Sequence, residues 1–288
     1  YDENGNLRKG CWDEDQPREA KDVRRAIQEK IRCNPKELDN HFGRLFDICT
    51  EKGSELEEGN PERIFKGRVV FQGNNVINQN FEIAMFTEMA SAPATLEASA
   101  CADAYGCLPG NACEQADAEQ AYCQSMLQGE DTWIRLPKNR WPDAWFKDGA
   151  KRTDPIYWDP VCKLNLALYG HPMSGKYWED HADAELKKKG WNPIEEWKSC
   201  YYHPQLDCLL IIYVDDFKIS GPVGMLKQAW ATITDTIRIG DQGPVNHFLG
   251  VKHEVGYFNV PRISPTKPKD KPTDTEADCE IPDEEEMP

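Results

Sequence analysis

Residues 209–220 read Leu-Leu-Ile-Ile-Tyr-Val-Asp-Asp-Phe-Lys-Ile-Ser, two apolar runs that meet at a pair of adjacent aspartates. Such a stretch folds as two strands joined by a tight turn, and from Cys208 onward it is the strongest β signal in the chain. Aspartate is common in turns. A two-residue hairpin nevertheless prefers Asn-Gly or Asp-Gly, because both central positions take positive φ. Here the second aspartate, Asp216, is followed directly by Phe217, so a turn at Asp215-Asp216 carries a steric cost. Two neighbouring carboxylates also repel each other unless a cation or a proton intervenes. A divalent metal would supply that charge. This segment alone leaves a metal site and a plain turn both open.

A second stretch adds a third acid. Ala116-Asp117-Ala118-Glu119-Gln120-Ala121-Tyr122 places Asp117 where a short strand (114–119) passes into a helical turn (121–127). By itself such an aspartate is most simply a helix N-cap. Taken with Asp215 and Asp216, it fits two-metal phosphoryl transfer, in which carboxylates on rigid strand ends hold two hard cations close together.

Around these acids the chain alternates helical and extended patterns. Pro17 opens a short helix with Val23, Ala26, Ile27 and Ile31 at helical spacing, ended by Asn34-Pro35. Residues 51–61 read as a charged loop, and compact structure is expected from Ile64, with 67–73 a strand closed by a turn. Residues 81–105 read as one or two helices interrupted at Pro93, 133–137 as extended, and 139–160 as a variable loop. Ser174 signals the N-cap of a helix that turns Trp178, Ala182 and Leu186 inward and stops at Gly190. Residues 222–238 return to helix, and 247–255 form a last strand. This order, with its tight strand pair, predicts an α+β fold with an antiparallel sheet and packed helices. The expected division is a polar N-terminal extension with short helices over 1–63, the main domain over 64–260, and an acidic, Pro-rich disordered tail over 261–288.

The formal net charge of −16 opposes unaided binding to nucleic acid, because phosphate contacts supply much of that affinity. Part of the excess lies in the tail, where nine acids (Asp270, Asp274, Glu276, Asp278, Glu280 and 283–286) face Arg262, Lys267, Lys269 and Lys271. The 11 cysteines, an odd number with no Cys-x-x-Cys pair and no zinc-finger spacing, read as free thiols in a reducing compartment. No apolar run approaches the roughly 20 residues that span a bilayer. With no signal segment in residues 1–10, an intracellular location in cytoplasm or nucleus is expected, and Tyr1 in place of Met reads as the start of a fragment.

With these residues assembled, the chain resembles the reverse transcriptase domain of copia-type LTR retrotransposons. Tyr213-Val214-Asp215-Asp216 is similar to that family's Tyr-x-Asp-Asp box, and the Asp-x-x-x-Ala-Tyr from Asp117 to Tyr122 is similar to its first acidic motif. Lys66-Gly67-Arg68-Val69-Val70 resembles the Lys-x-Arg-x-Val strand of the fingers. Trp133-Ile134-Arg135-Leu136-Pro137, Cys162-Lys163-Leu164, Leu168-Tyr169-Gly170 with Ser174 and Trp178, and Phe248-Leu249-Gly250 follow in family order. The blocks cover residues 64–255.

The resemblance implies a right-hand polymerase, fingers plus palm, that carries out RNA-directed DNA polymerisation with Mg²⁺ or Mn²⁺. It makes Asp117, Asp215 and Asp216 the catalytic, metal-binding residues, with the carbonyl of Ala118 as a further ligand. Lys66 and Arg68 would hold the triphosphate, and Tyr122 would lie under the incoming sugar and exclude a 2′-hydroxyl. Tyr169, Gly170 and Ser174 would line the template and nucleotide pocket. Without the resemblance, Lys66 and Arg68 are solvated cations on an edge strand, Tyr122 a core tyrosine and Ser174 a helix cap. The implied partners are an RNA/DNA template-primer and dNTPs, with integrase and ribonuclease H modules elsewhere in the full element. The chain departs from the family after Tyr169-Gly170, where His171-Pro172-Met173-Ser174-Gly175 replaces Leu-Lys-Gln-Ser-Pro. No thumb or ribonuclease H pattern is recognisable beyond Val255. The alternative is therefore an inactive relic or scaffold that keeps the reverse transcriptase fold.

Overall fold

The computed structural model describes residues 10–34, 40–86, 93–254 and 256. The tail expected over 261–288 lies outside them.

Arg18–Glu19 (β1) pairs antiparallel with Pro160 and Val161, and this extended pairing moves the start of the first helix past Pro17. The helix α1 spans Ala20–Cys33 and ends at the Asn34 cap, whose N–H donates to Lys30 O. Its Val23, Ile27 and Ile31, spaced four apart, form one apolar face packed with Phe42, Trp133 and Val161. Arg24 is buried beside them. Its Nη1–H donates to Asn78 O at 2.6 Å, and its guanidinium lies between the Phe42 and Phe81 rings, 3.8 and 4.0 Å from their centroids. Burial lowers Arg24 to about 10.

His41–Lys52 (β2) is a long strand in the stretch read as a polar extension, so folded structure begins well before Ile64. Ile64–Phe71 (β3) pairs antiparallel with β2 from Lys52↔Ile64 to Leu45↔Phe71, and Ile77–Asn78 (β4) pairs with the start of β2. Of the helices expected over 81–105, the described residues contain α2 (Leu96–Gly106), capped by Thr95 Oγ1, which accepts Ala98 N–H at 3.3 Å. Asn111–Asp117 (β5) leads into a 3-10 turn at Ala121–Gln124.

Thr132–Arg135 (β6) runs parallel to β2 and antiparallel to Pro160–Lys163 (β7). The first sheet, in the order β1-β7-β6-β2-β3 with β4 on β2, is therefore mixed. Residues 139–160 form turns as expected, yet they bury Trp141, Trp145 and Phe146 against Leu136 and Leu164. Trp145 Nε1–H donates to Glu14 O at 3.0 Å, which ties this loop to the N-terminal segment.

The helix α3 (Ser174–Lys188) turns Trp178, Ala182 and Leu186 inward, as their spacing predicts. Asn192–Pro193 (β8), Cys200–His203 (β9), Cys208–Tyr213 (β10) and Asp216–Pro222 (β11) follow. The helix α4 (Val223–Thr234) then returns across the sheet, and Gly243–Pro244 (β12) completes it. The second sheet is antiparallel throughout, in the order β12-β5-β11-β10-β9-β8. Alternation along the hairpin separates its faces. Leu210, Ile212, Phe217 and Ile219 pack under α3 and α4, whereas Ile211 packs with Ala98 and Ala102 of α2. The single strand expected over 247–255 is a small hairpin, His247–Phe248 (β13) with Val251–Lys252 (β14).

Candidate active site

The β10–β11 register runs from Leu209↔Ser220 to Tyr213↔Asp216, so the central turn residues are Val214 and Asp215, one position earlier than expected. Val214 takes φ 57, a conformation that a β-branched side chain adopts only under strain, of about 1–3 kcal/mol. Two hydrogen bonds hold it there. Trp178 Nε1–H donates to Val214 O at 2.6 Å, and Ala118 N–H donates to Asp215 O at 2.6 Å. Because Trp178 is buried by the packing of α3 on the sheet, the helix fixes the turn from behind.

That register shift places Asp216 at the head of β11, directly opposite Asp117 at the end of β5. Asp215 lies in the adjoining turn. Burial, then the charges of Asp215 and Asp117 together with a hydrogen bond to Asp117, push the Asp216 carboxyl from 3.8 up to about 6. A hydrogen bond between two carboxyls requires a proton on one of them. The donor set is entirely carboxylate, which suits a hard cation such as Mg²⁺, and its excess negative charge is what such a cation would balance. Among the described residues, no three His, Cys, Asp or Glu side chains stand close enough as placed to hold an ion. Ala118, expected to offer its carbonyl, contributes its N–H to the turn.

Tyr122 follows in the 3-10 turn, half-buried at the edge of the core. Its ring centroid lies 4.8 Å from that of Tyr169. Burial first, and then the Asp215 charge, raise both hydroxyls, Tyr169 to about 12. Arg68 acts on Tyr169 in the opposite sense, so its charge is felt on the same side of the molecule. Arg68 and Lys66 are exposed on β3 and share a face by alternation.

The Tyr169-Gly170 segment is stitched to the end of β3. Phe71 N–H donates to Tyr169 O at 2.7 Å. Gly170 has φ +85, and a Cβ there would stand 2.2 Å from Phe71 O, so only glycine fits. A cleft of about 550 Å³, lined by Phe46, Phe71, Gly73, Gly170 and Pro172, opens beside this junction.

Ser174 is the first residue of α3 rather than its cap, and Met173 occupies the N-cap position. The buried Ser174 hydroxyl donates to Leu168 O at 2.7 Å and accepts Leu168 N–H at 3.0 Å. It therefore holds the 168–174 loop from within, in place of the pocket-lining position expected. His171 is a residue whose part sequence reasoning missed. Its Nδ1 accepts Met173 N–H at 3.2 Å, and its ring packs against Phe71 and Phe86, with centroids 5.0 and 5.7 Å away. Burial, with a smaller contribution from His41, lowers His171 to about 4. The signal available in sequence was only its place between a glycine and a proline.

Residues 52–260 match the family model described as reverse transcriptase (RNA-dependent DNA polymerase). Over 144 residues the chain is 25% identical to the retrovirus-related Pol polyprotein from transposon TNT 1-94 of Nicotiana tabacum. That alignment covers 48% of this chain and 10% of the polyprotein. Among the described residues, no helix is long and apolar enough to cross a membrane.

Proposed function

This chain belongs to the reverse transcriptase (RNA-dependent DNA polymerase) family, of the copia type, and on that footing we propose that it is the nucleotidyl-transfer core of a retrotransposon polyprotein, extending a DNA strand on an RNA template. The observation that carries this reading is the Asp117–Asp216 cross-strand pair with Asp215 in the adjoining strained turn. In this reading the first sheet serves as fingers and the second as palm. Asp117, Asp215 and Asp216 would hold Mg²⁺ or Mn²⁺, whose charge would offset the repulsion that raises the Asp216 carboxyl. The bound cations supply activation of the primer 3′-hydroxyl and neutralise charge on the triphosphate and departing pyrophosphate.

The chain's own residues provide the positioning. Trp178 and Ala118 fix the turn, so that Asp215 needs no rearrangement when substrate arrives. Tyr122, backed by Tyr169, presents a ring where a 2′-hydroxyl would clash. Arg68 and Lys66 donate charge-assisted hydrogen bonds to triphosphate oxygens. Ser174 is buried and in this reading shapes the loop without touching the nucleotide. The other modules of such a polyprotein, integrase and ribonuclease H, would act beside this core.

Primer extension by the purified chain, on RNA and on DNA templates with Mg²⁺ or Mn²⁺, tests the proposal. Incorporation that falls by on the order of 100-fold or more in Asp215→Asn supports it. A second reading, a scaffold that keeps the fold without synthesis, is favoured by the net charge of −16, which opposes the duplex. Cation binding lost in Asp215→Asn, with no extension on either template, would establish the scaffold instead.

A further inference from the structure

Alternation along its strands gives the first sheet two faces. On one, Leu45, Ile134 and Cys162 pack with Leu168 and, at the edge, with Cys123. The other carries Phe42, Trp133 and Val161 under α1. Arg44 and Arg135 continue this second face side by side, each two residues beyond Phe42 or Trp133 in paired strands. Arg18 joins them opposite Val161, its guanidinium 5.7 Å from the Trp133 ring centroid. Arg24 reaches the same face from α1, over the Phe42 ring. Four guanidiniums thus gather on one side of a sheet, in a chain whose net charge is −16.

Few carboxylates answer them. Asp159 takes Arg135 in a two-point ion pair at 2.7 and 2.9 Å. That bond, with the charges of Arg135, Arg24 and Arg44 and against burial, holds the Asp159 carboxyl below the usual carboxylate range. Glu19 accepts the backbone N–H groups of Trp158 and Asp159. Arg18 and Arg44 are exposed, without an ion pair among the described residues. Arg24 is 5% exposed, and its buried Nη2 has no hydrogen-bond partner among the described residues. A buried charged donor without an acceptor is costly, and a phosphate oxygen is an acceptor that suits a guanidinium. Phe81, the ring that covers Arg24 at 4.0 Å, is 69% exposed, so little packing resists its moving aside. Next to Asp159, Trp158 is 93% exposed. Large rings left in water beside cations are the parts of a single-strand site, where bases stack on aromatics and phosphates meet basic side chains.

We propose that this face is a single-stranded nucleic-acid site, in which Arg18, Arg24 and Arg44 hold phosphodiester oxygens while Trp158 and Phe81 stack on unpaired bases. Arg135, fixed by Asp159, adds its charge without leaving its partner. Arg18, Arg24 and Arg44 precede residue 52, where the family match begins. The face is also the reverse of the one that packs with Cys123 and Leu168. The site shares no residue with the acidic one and does not rest on the polymerase reading. With or without synthesis, it would tether a single strand to the chain.

Fluorescence anisotropy of the whole chain with a labelled oligouridylate of about 12 nucleotides, in EDTA and over a range of salt, tests this. Trp158→Ala should weaken binding by about five-fold or more, the loss of one stacked base. Arg44→Gln should weaken it too, and lower the slope of log affinity against log salt by about 0.7, one phosphate contact on a single strand. Both residues are exposed, so both variants should melt at the wild-type temperature. Affinity unchanged in either variant, or no binding by wild type at about 50 mM salt, would overturn the site. Loss in Lys66→Gln instead would put the strand at the polymerase site. Polyglutamate bound as tightly as the oligonucleotide would make the face one for acidic peptide, and the nucleic-acid assignment would fall. Primer extension enters none of these readouts, so failure here leaves the polymerase reading where it stood.

Discussion

Acid should loosen the loop that carries Tyr169 and Gly170, because His171 behind it is buried as a neutral ring. The folded value is about 4 and the ordinary value 6.5, with burial as the main cause. Since the folded value is the lower one, the unfolded chain takes up the proton first as pH falls. Stability is untouched above 6.5, declines between 6.5 and 4, and carries the full penalty below 4. At about pH 4.5 the loss is about 2.5 kcal/mol. That is a large share of the roughly 5–15 kcal/mol by which domains are stable. Urea denaturation of wild type and His171→Asn, at about pH 7.5 and about pH 4.5, measures it. Asparagine can still accept the Met173 N–H but gives up the ring contacts with Phe71 and Phe86, which should lower stability at neutral pH by roughly 1–2 kcal/mol. Carboxylates titrate alike in both proteins, so the change in their difference isolates His171. The variant should gain about 2.5 kcal/mol relative to wild type on going to the lower pH. Stability curves that stay parallel would refute a neutral, buried His171.

Other perturbations follow from the geometry of the site. Trp178→Phe removes the N–H that binds Val214 O, and should lower stability by about 1 kcal/mol while reducing any primer extension by a larger factor than its melting shift explains; equal activity per folded molecule would show the turn needs no such tether. Gly170→Ala meets both the positive φ and the Phe71 carbonyl, and a loss of about 3 kcal/mol or more is expected in the same urea assay, whereas a neutral result would mean that the junction yields easily. In an extending chain, Tyr122→Val should raise ribonucleotide incorporation by roughly ten-fold or more, and an unchanged ratio of ribo- to deoxyribonucleotide use would remove Tyr122 from the site.

Local pattern was enough wherever one face of one element set the answer. The 208–220 hairpin and the inward row Trp178, Ala182 and Leu186 are written in periods of two and 3.6, and both stand where those periods put them. The three aspartates were legible as acids at strand ends, though the sequence alone left a plain turn open beside a metal site. What escaped the sequence depends on partners distant in the chain. Only the first residues of β2 are buried in the sheet, while most of Phe46–Lys52 is an exposed ribbon paired with β3, so no alternation of apolar and polar residues set this strand apart from the polar extension expected over 1–63. Lys218 lies fully buried in an apolar strand because Asp103 and Ser99 of α2 receive its ammonium, and no periodicity reveals such a partner. Likewise, one residue of register moved the turn to Val214-Asp215 and set Asp216 against Asp117. Strand pairing fixes which side chains face each other, and that choice is made by the packing of the whole sheet and its helices.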